Sequence, residues 1–137
     1  RKLPLMPGVE AFIAHLKEEG VPMAIASSSS LALIEAVIDQ HQLPIDHYES
    51  GSALGISKPH PEVFIRAAAR LNAPIWQCLV IEDSVNGTIA GKAGSFTVAV
   101  VPDHFPPRAE LSIADYAFTS MTDLHEAYKQ HQFDSLN

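Results

Sequence analysis

Cysteine and basic residues are scarce in this sequence of 137 residues. The one cysteine, Cys78, excludes an internal disulfide framework and any zinc site that is built on paired cysteines. Nine Lys and Arg residues stand against sixteen Asp and Glu residues, giving a formal net charge of -7. Because nucleic-acid binding needs clustered positive charge, this balance argues against a nucleic-acid partner.

Long apolar runs are also missing. The longest run, over residues 97–101, has the length of a strand and falls far short of the ~18 residues that span a bilayer. The first residues show no charged stretch leading into an apolar one, so we expect no secretory signal, no membrane partner and a cytoplasmic location. With 47% hydrophobic and 18% charged residues, the composition predicts one globular domain over residues 1–137.

The spacing of apolar residues predicts alternating helices and strands. Residues 1–8 read as a linker that runs into the first helix, and 51–61 read as a loop rich in Gly and Pro. Helices are predicted over 8–19, 31–38, 61–71, 84–93 and 121–130, and strands over 21–26, 46–50, 78–81, 96–101 and 116–118. Thr122 is the expected N-cap of the last helix. This alternation favours an α/β domain with a mainly parallel sheet.

Polar residues follow three of the predicted strands, at the edge where parallel sheets bind ligands. Ser27 and Ser28 come after the first strand, and a hydroxyl with backbone N–H groups at a helix start suits a phosphate. Lys58 follows the second strand and offers a single positive charge. Glu82 and Asp83 follow the third strand, and adjacent carboxylates beside buried residues need a cation or donors.

Each of these signals has an ordinary alternative. Ser27 or Ser28 could be a plain N-cap, Lys58 a surface lysine in a turn, and Asp83 or Ser84 the cap of the next helix. Together, however, a hydroxyl, a lysine and an acidic pair supply the parts of a Mg²⁺-assisted phosphoryl-transfer site.

Three segments resemble motifs two, three and four of the haloacid dehalogenase-like hydrolases: Ile25-Ala26-Ser27-Ser28-Ser29, Ser57-Lys58-Pro59-His60-Pro61 and Ile81-Glu82-Asp83-Ser84-Val85-Asn86-Gly87. Within this family the sequence resembles the branch that contains β-phosphoglucomutase and the sugar-phosphate phosphatases. The intervals fit as well, with 31 residues from Ser27 to Lys58 and then 24 to Glu82. The resemblance extends over roughly residues 5–130 and implies a three-layer, Rossmann-like core.

The resemblance also implies roles for the motif residues. Ser27 would hydrogen-bond the transferring phosphoryl group with help from the backbone N–H of Ser28, and Lys58 would bridge that group and the nucleophile. Asp83 would bind Mg²⁺ with Glu82 beside it. Ser84 and Asn86 would orient these groups. The implied reaction is hydrolysis of a small phosphorylated metabolite, a sugar phosphate in this branch, through an aspartyl-phosphate.

The sequence departs from the family at its first motif. The family nucleophile is the first Asp of an Asp-x-Asp motif, but no two Asp residues here are one residue apart, and all follow Ser27. The helical cap that selects substrates is missing too. We therefore expect a C-terminal core part with an incomplete sheet that lacks its central strand. The sheet should close up, borrow a strand from another molecule, or be completed by a lost N-terminal segment.

Three other functions stay open. The chain could be a catalytically inactive, truncated fragment that binds phosphate or serves as an interaction domain, with exposed sheet edges that favour homodimers or strand swapping. It could also belong to a phosphoglucomutase-like phosphotransferase, although Ser30-Leu31 stands where a mutase-like Lys-Asn is expected. A dehalogenase is disfavoured because it would not need the acidic pair.

The histidines and the cysteine carry less information. The seven histidines show no i,i+4 metal-binding pair and are expected to be mostly solvated surface residues. Cys78 lies in an apolar run and is expected to be a small buried hydrophobe rather than a nucleophile.

Overall fold

A computed structural model describes residues 3–105 and 107–136 and shows an α/β fold with parallel strands. The five strands are β1 (Ala24–Ser27), β2 (His47–Ser50), β3 (Leu79–Glu82), β4 (Thr97–Val100) and β5 (Tyr116–Ala117). The six helices are α1 (Val9–Glu18), α2 (Leu31–Gln40), α3 (Gly51–Leu54), α4 (Glu62–Arg70), α5 (Val85–Ala93) and α6 (Met121–Lys129). Short 3₁₀ turns lie at Ile75–Gln77, Ala109–Ile113 and Asp134–Leu136.

The strands form two separate parallel sheets. In the first, β1 pairs with β2, with Ala24 opposite His47 and Ser27 opposite Ser50. In the second, β4 lies in the middle, pairing with β3 on one side and β5 on the other. Every pairing is parallel, as the alternation of helices and strands predicts.

Helices cover both faces of the second sheet, which gives the three layers expected. One apolar cluster joins Ala99 and Val101 to Phe12 of α1 and Leu124 of α6. The other cluster packs α4 and α5 on the opposite face through Val63, Phe64, Ala68, Val80, Ala90, Phe96 and Val98. The fold class predicted from the sequence is therefore confirmed.

The expected gap in the sheet is present. Within the described residues, β1 and β3 do not pair, so each has only one strand neighbour. Of the three expected outcomes, closing of the sheet is not observed, and over residues 3–105 and 107–136 no Asp-bearing strand lies between β1 and β3. Helix α4 contacts both strands of the first sheet as well as α5, and so holds the two sheets beside each other.

Several local predictions differ from the structure. Strand β1 begins at Ala24 rather than at residue 21, and Pro22, which lacks an N–H to donate, lies in the irregular segment before it. Part of the predicted 51–61 loop is the short helix α3, whose N-cap is Ser50. The predicted cap Thr122 is wrong, because the Ser120 hydroxyl caps α6 by accepting from the Asp123 N–H.

The predicted linker over residues 1–8 has no regular secondary structure where it is described, although Arg1 and Lys2 lie outside the described residues. None of the helices within residues 3–105 and 107–136 combines the length and the apolar composition that a membrane span requires.

Candidate functional site

The carboxyl ends of β1 and β3 open into one cleft of about 830 Å³. Ser27 is the last residue of β1 and Glu82 the last residue of β3, so the fold carries both to this edge. All seven residues singled out from the sequence line the cleft: Ser27, Ser28, Lys58, Glu82, Asp83, Ser84 and Asn86. The structure thus brings together residues that are up to 59 positions apart in the chain.

Ser27 and Ser28 form one wall of the cleft. The Ser27 hydroxyl accepts a hydrogen bond from the backbone N–H of Ser29 at 3.0 Å, which fixes the turn that follows β1. Ser28 is exposed at the cleft. Neither residue is the N-cap of α2, because the Ser30 hydroxyl accepts from the Leu33 N–H and takes that position. The ordinary capping alternative for Ser27 and Ser28 is therefore excluded.

Lys58 joins the two sheets across the gap. Its ammonium group donates to the Ala26 carbonyl of β1 at 3.1 Å and to Glu82 Oε2 of β3 at 2.6 Å. The same group lies 4.8 Å from the centre of the Phe64 ring, close enough for a cation–π contact. With its side chain only 10% exposed, Lys58 is not a surface lysine in a turn.

Glu82 is held from both of its carboxylate oxygens. Oε2 accepts from Lys58, while Oε1 accepts from the Asp83 N–H at 3.2 Å and the Ser84 hydroxyl at 3.1 Å. Its side chain is 9% exposed. These donors offset the cost of burying the carboxylate and leave it with a fixed orientation.

Asp83 differs from its neighbour because its residue is exposed to the cleft. The walls of the cleft still shield the Asp83 carboxyl in part, and this partial burial raises its pKa. The negative charges of Glu82 and Asp103 raise it further, against smaller opposing effects that include Lys58. The charged form of Asp83 therefore lies in surroundings where a nearby cation would stabilise it.

Helix α5 begins at the cleft and sets the positions of its remaining lining residues. Ser84 is the N-cap, with its hydroxyl accepting from the Gly87 N–H at 3.0 Å, while Asn86 is exposed in the first turn. A Cβ on Gly87 would lie 2.0 Å from Glu82 Oε1. Only glycine leaves room for the Glu82 carboxylate here, a requirement that the sequence pattern alone did not reveal.

Sequence reasoning missed three further polar residues that line the cleft. Asp103, His104 and Arg108 belong to the segment after β4. Their position was foreseeable, because this segment also follows the carboxyl end of a parallel strand. Nothing in the sequence, however, distinguished them from other polar residues of an exposed loop.

The adjacent carboxylates of Glu82 and Asp83 could supply some of the ligands of a hard cation such as Mg²⁺, but not a full set. Among residues 3–105 and 107–136, no three His, Cys, Asp or Glu side chains are grouped as a metal site. Mg²⁺ is usually held by one or two carboxylates together with phosphate oxygens and water, so Asp83 beside Glu82 fits a partial site of that kind.

Most histidines are exposed as expected, namely His47, His60, His104 and His131. The other three histidines and Cys78 are partly buried. His41 is almost fully buried, with a side chain 5% exposed that contacts Glu10, and His15 and His125 are half-buried in contact with each other. Cys78 is half-buried rather than fully buried, and burial raises the pKa of its thiol. A raised thiol pKa agrees with the expectation that Cys78 is not a nucleophile.

Comparison with protein families gives a match over residues 1–94 to the family described as haloacid dehalogenase-like hydrolase. Hexitol phosphatase B of Escherichia coli K12 is 39% identical over 127 residues, covering 88% of this chain and 56% of that protein. The probable pseudouridine-5'-phosphatase of Drosophila melanogaster is 33% identical, covering 97% of this chain and 59% of that protein. The chain therefore spans little more than half the length of these relatives.

Solved structures share the architecture. A HAD family hydrolase from Deinococcus radiodurans R1, crystallised with bound phosphate and sodium, superposes with a TM-score of 0.81 and is 32% identical. The superposition covers 93% of this chain and 60% of that one.

Proposed function

Because the chain belongs to the haloacid dehalogenase-like hydrolases, we propose that it is the phosphate-binding part of a Mg²⁺-dependent phosphatase for small phosphorylated metabolites. The proposal is supported most directly by one observation. Ser27, Lys58 and the Glu82–Asp83 pair, which come from three separate segments, line the same cleft. Sugar phosphates are the proposed substrates, since one relative is a hexitol phosphatase.

Each residue would act on the phosphoryl group through its position in the cleft. The Ser27 hydroxyl and the backbone N–H of Ser28 would donate hydrogen bonds to phosphoryl oxygens. Lys58 would place its charge between those oxygens and the attacking group, and Glu82 would hold Lys58 in that position. This geometry stabilises charge by fixed groups that need little rearrangement.

Asp83 would hold Mg²⁺, with Glu82 as a second ligand or as a partner that orients the site. When bound, the ion would neutralise negative charge on the phosphoryl group. Ser84 and Asn86 would keep the start of α5 and the Glu82 carboxylate in place, since Ser84 already donates to Glu82.

The nucleophilic aspartate is proposed to come from outside these 137 residues. The printed sequence holds no Asp-x-Asp pair. Within the described residues, β1 and β3 leave a gap between the two sheets, and an apolar groove of about 430 Å³ runs beside β1. A strand inserted in the gap, parallel to β1 and β3, would end at the cleft, because the carboxyl ends of β1 and β3 lie at the cleft.

The test uses the parent protein that contains this chain. We expect hydrolysis of hexitol phosphates that requires Mg²⁺ and that falls by at least about 100-fold in Asp83→Ala, the scale of a lost charge-stabilising group. Asp39→Ala, a change at an exposed aspartate on α2, should retain full turnover. Unchanged turnover in Asp83→Ala would reject the metal-binding role.

A second candidate function is a non-catalytic phosphate-binding or interaction domain. The unpaired sides of β1 and β3 within the described residues favour it, because such edges pair readily with other strands. Homodimers or strand-swapped pairs are then proposed. The purified chain of 137 residues should lack phosphatase activity and show a native mass above that of the monomer. Robust turnover would contradict the proposal that the nucleophile lies outside these residues.

A phosphoglucomutase-like phosphotransferase stays a weaker alternative. Ser30 occupies the position where a mutase-like lysine is expected, and its hydroxyl already caps α2. Detection of phosphoryl transfer between two sugar phosphates by the parent protein would favour this alternative over hydrolysis.

A further inference from the structure

A hydrogen-bonded pair of histidines joins α1 to α6, away from the cleft. His15 Nδ1 on α1 lies 2.7 Å from His125 Nε2 on α6, and the ring centres are 4.9 Å apart. On its other side, His15 Nε2 lies 3.1 Å from a carboxylate oxygen of Glu19. The second Glu19 oxygen accepts from the Tyr128 hydroxyl. These four side chains form a continuous polar chain between the two helices, which we name the α1–α6 latch.

The proton positions in the latch follow from its end group. An ionised carboxylate only accepts, so His15 Nε2 carries a proton that it donates to Glu19. In neutral His15 the facing Nδ1 then holds a lone pair, and His125 Nε2 donates to it. One added proton can still be accommodated, because one of the two facing nitrogens can remain an acceptor. With both rings protonated, two N–H groups face each other and the bond is lost.

We propose that the α1–α6 latch holds α6 on α1 and responds to protons. It opens when both histidine rings are protonated, because the His15–His125 hydrogen bond is then lost. Beside this contact the Tyr128 hydroxyl donates to Glu19, and apolar side chains fill much of the interface. Phe12 of α1 packs edge-on against both His125 and Tyr128, with ring centres 5.2 and 5.8 Å apart. Opening the latch would therefore weaken the docking of α6 on α1.

The charged groups around the latch define its pH response. On α6, Lys129 opposes protonation of His125 and Glu126 favours it, while His15 opposes it from α1. Hydrogen bonding by Tyr128 lowers the pKa of Glu19, with smaller contributions from His15 and His131. Burial and the bond to Glu19 raise the pKa of Tyr128 to about 12, with a further contribution from Asp134. Glu19 and Tyr128 therefore keep their protonation states between pH 5 and 8.

The direction of the effect is set by His125. Burial lowers its pKa, and Lys129 and His15 add to that effect. A histidine whose pKa is lower in the folded state stabilises the fold above its ordinary value near pH 6.5. That contribution is lost as the pH falls from there through the lower folded value.

Urea unfolding of the 137-residue chain between pH 8 and pH 5 tests the latch. Uptake of one extra proton on unfolding would raise the unfolding constant by up to about tenfold per pH unit in the acid part of this range. His125→Gln removes the titrating ring and should flatten this dependence. His47→Gln, at an exposed histidine on β2, should keep the slope of the unchanged chain.

Nitrogen NMR of the unchanged chain gives an independent measurement that does not depend on a variant folding. We expect His15 to hold its proton on Nε2 at pH 8, and His125 to titrate below the ordinary histidine value near pH 6.5. Hydrogen exchange in α6 should accelerate over the same range. An ordinary titration of His125, or an unchanged pH slope in His125→Gln, would overturn the proposal.

Discussion

The two sheets of this protein differ in how completely they are enclosed. In the second sheet (β3, β4 and β5), which we call the C-terminal sheet, β4 has a neighbour on each side and helices on both faces, and Val98 and Ala99 are fully buried. In the first sheet (β1 and β2), which we call the N-terminal sheet, all four residues of β1 are only half-buried. Both sheets contribute to the cleft, yet only the C-terminal one has a finished core. Stability should thus come mainly from that sheet, and the site depends on holding the other one in place.

Lys58 is the strongest test of how the sheets are held together, because it donates to β1 and β3 at once. Lys58→Met leaves the buried Glu82 carboxylate without its cation, a change that costs about 3–5 kcal/mol in comparable buried pairs. Lys92→Met breaks the ion pair between Lys92 and Asp115, whose side chains are 33% and 37% exposed respectively. Because this pair is partly exposed, its loss should lower the free energy of unfolding by at most about 1 kcal/mol. Chemical denaturation of both variants measures the difference. Equal losses would show that Lys58 does not join the sheets.

The finished core is tested at Leu124, which is fully buried between α6 and the C-terminal sheet. Leu124→Ala should lower the free energy of unfolding by about 2–5 kcal/mol, the range for a large-to-small change in a packed core. Leu33→Ala, at a leucine that is 43% exposed beside β1, serves as the control and should cost much less. If the two losses were similar, the contrast between the sheets would be wrong.

Gly87 tests the site without removing any of its polar groups. An alanine methyl would overlap the Glu82 carboxylate, so Gly87→Ala should displace Glu82 and cost about 1–3 kcal/mol through overpacking. Ile89→Ala changes a more exposed position on the same helix and provides the comparison. Denaturation gives the stability loss, and a crystal structure of Gly87→Ala with Glu82 still bound to Lys58 would contradict the steric argument.

Asp115 gives the smallest expected effect and concerns only the C-terminal sheet. Partial burial acts to raise its pKa, but hydrogen bonds from Lys92 and from the Val98 N–H outweigh it, so the pKa of Asp115 is lowered. Its contribution is therefore present above the ordinary value near pH 3.8 and lost as the pH falls through the lower folded value. Asp115→Asn should make the free energy of unfolding less dependent on pH below about pH 4. Near pH 7 the slope of that free energy against pH should be the same in the variant and the unchanged chain.

Much of the fold and the site could be predicted from the sequence because the evidence for them is local. Apolar spacing identified the five strands, and the placement of Ser27, Lys58 and Glu82 after strands predicted that they would share a cleft. The Lys58–Glu82 bond and the steric need for Gly87 depend on how segments pack, which periodicity does not report. The same holds for His15 and His125, since they are 110 positions apart and meet only through helix docking.

The cleft between the two sheets is proposed to bind a phosphate group. The most direct measurement is a titration of the 137-residue chain with inorganic phosphate in the presence of Mg²⁺, followed by amide NMR with chloride as the salt control. We predict saturating shifts at Ser28, Ser29, Asp83 and Ser84 that are lost in Ser27→Ala and in Lys58→Met. Shifts that avoid these residues, or that persist unchanged in both variants, would contradict the account.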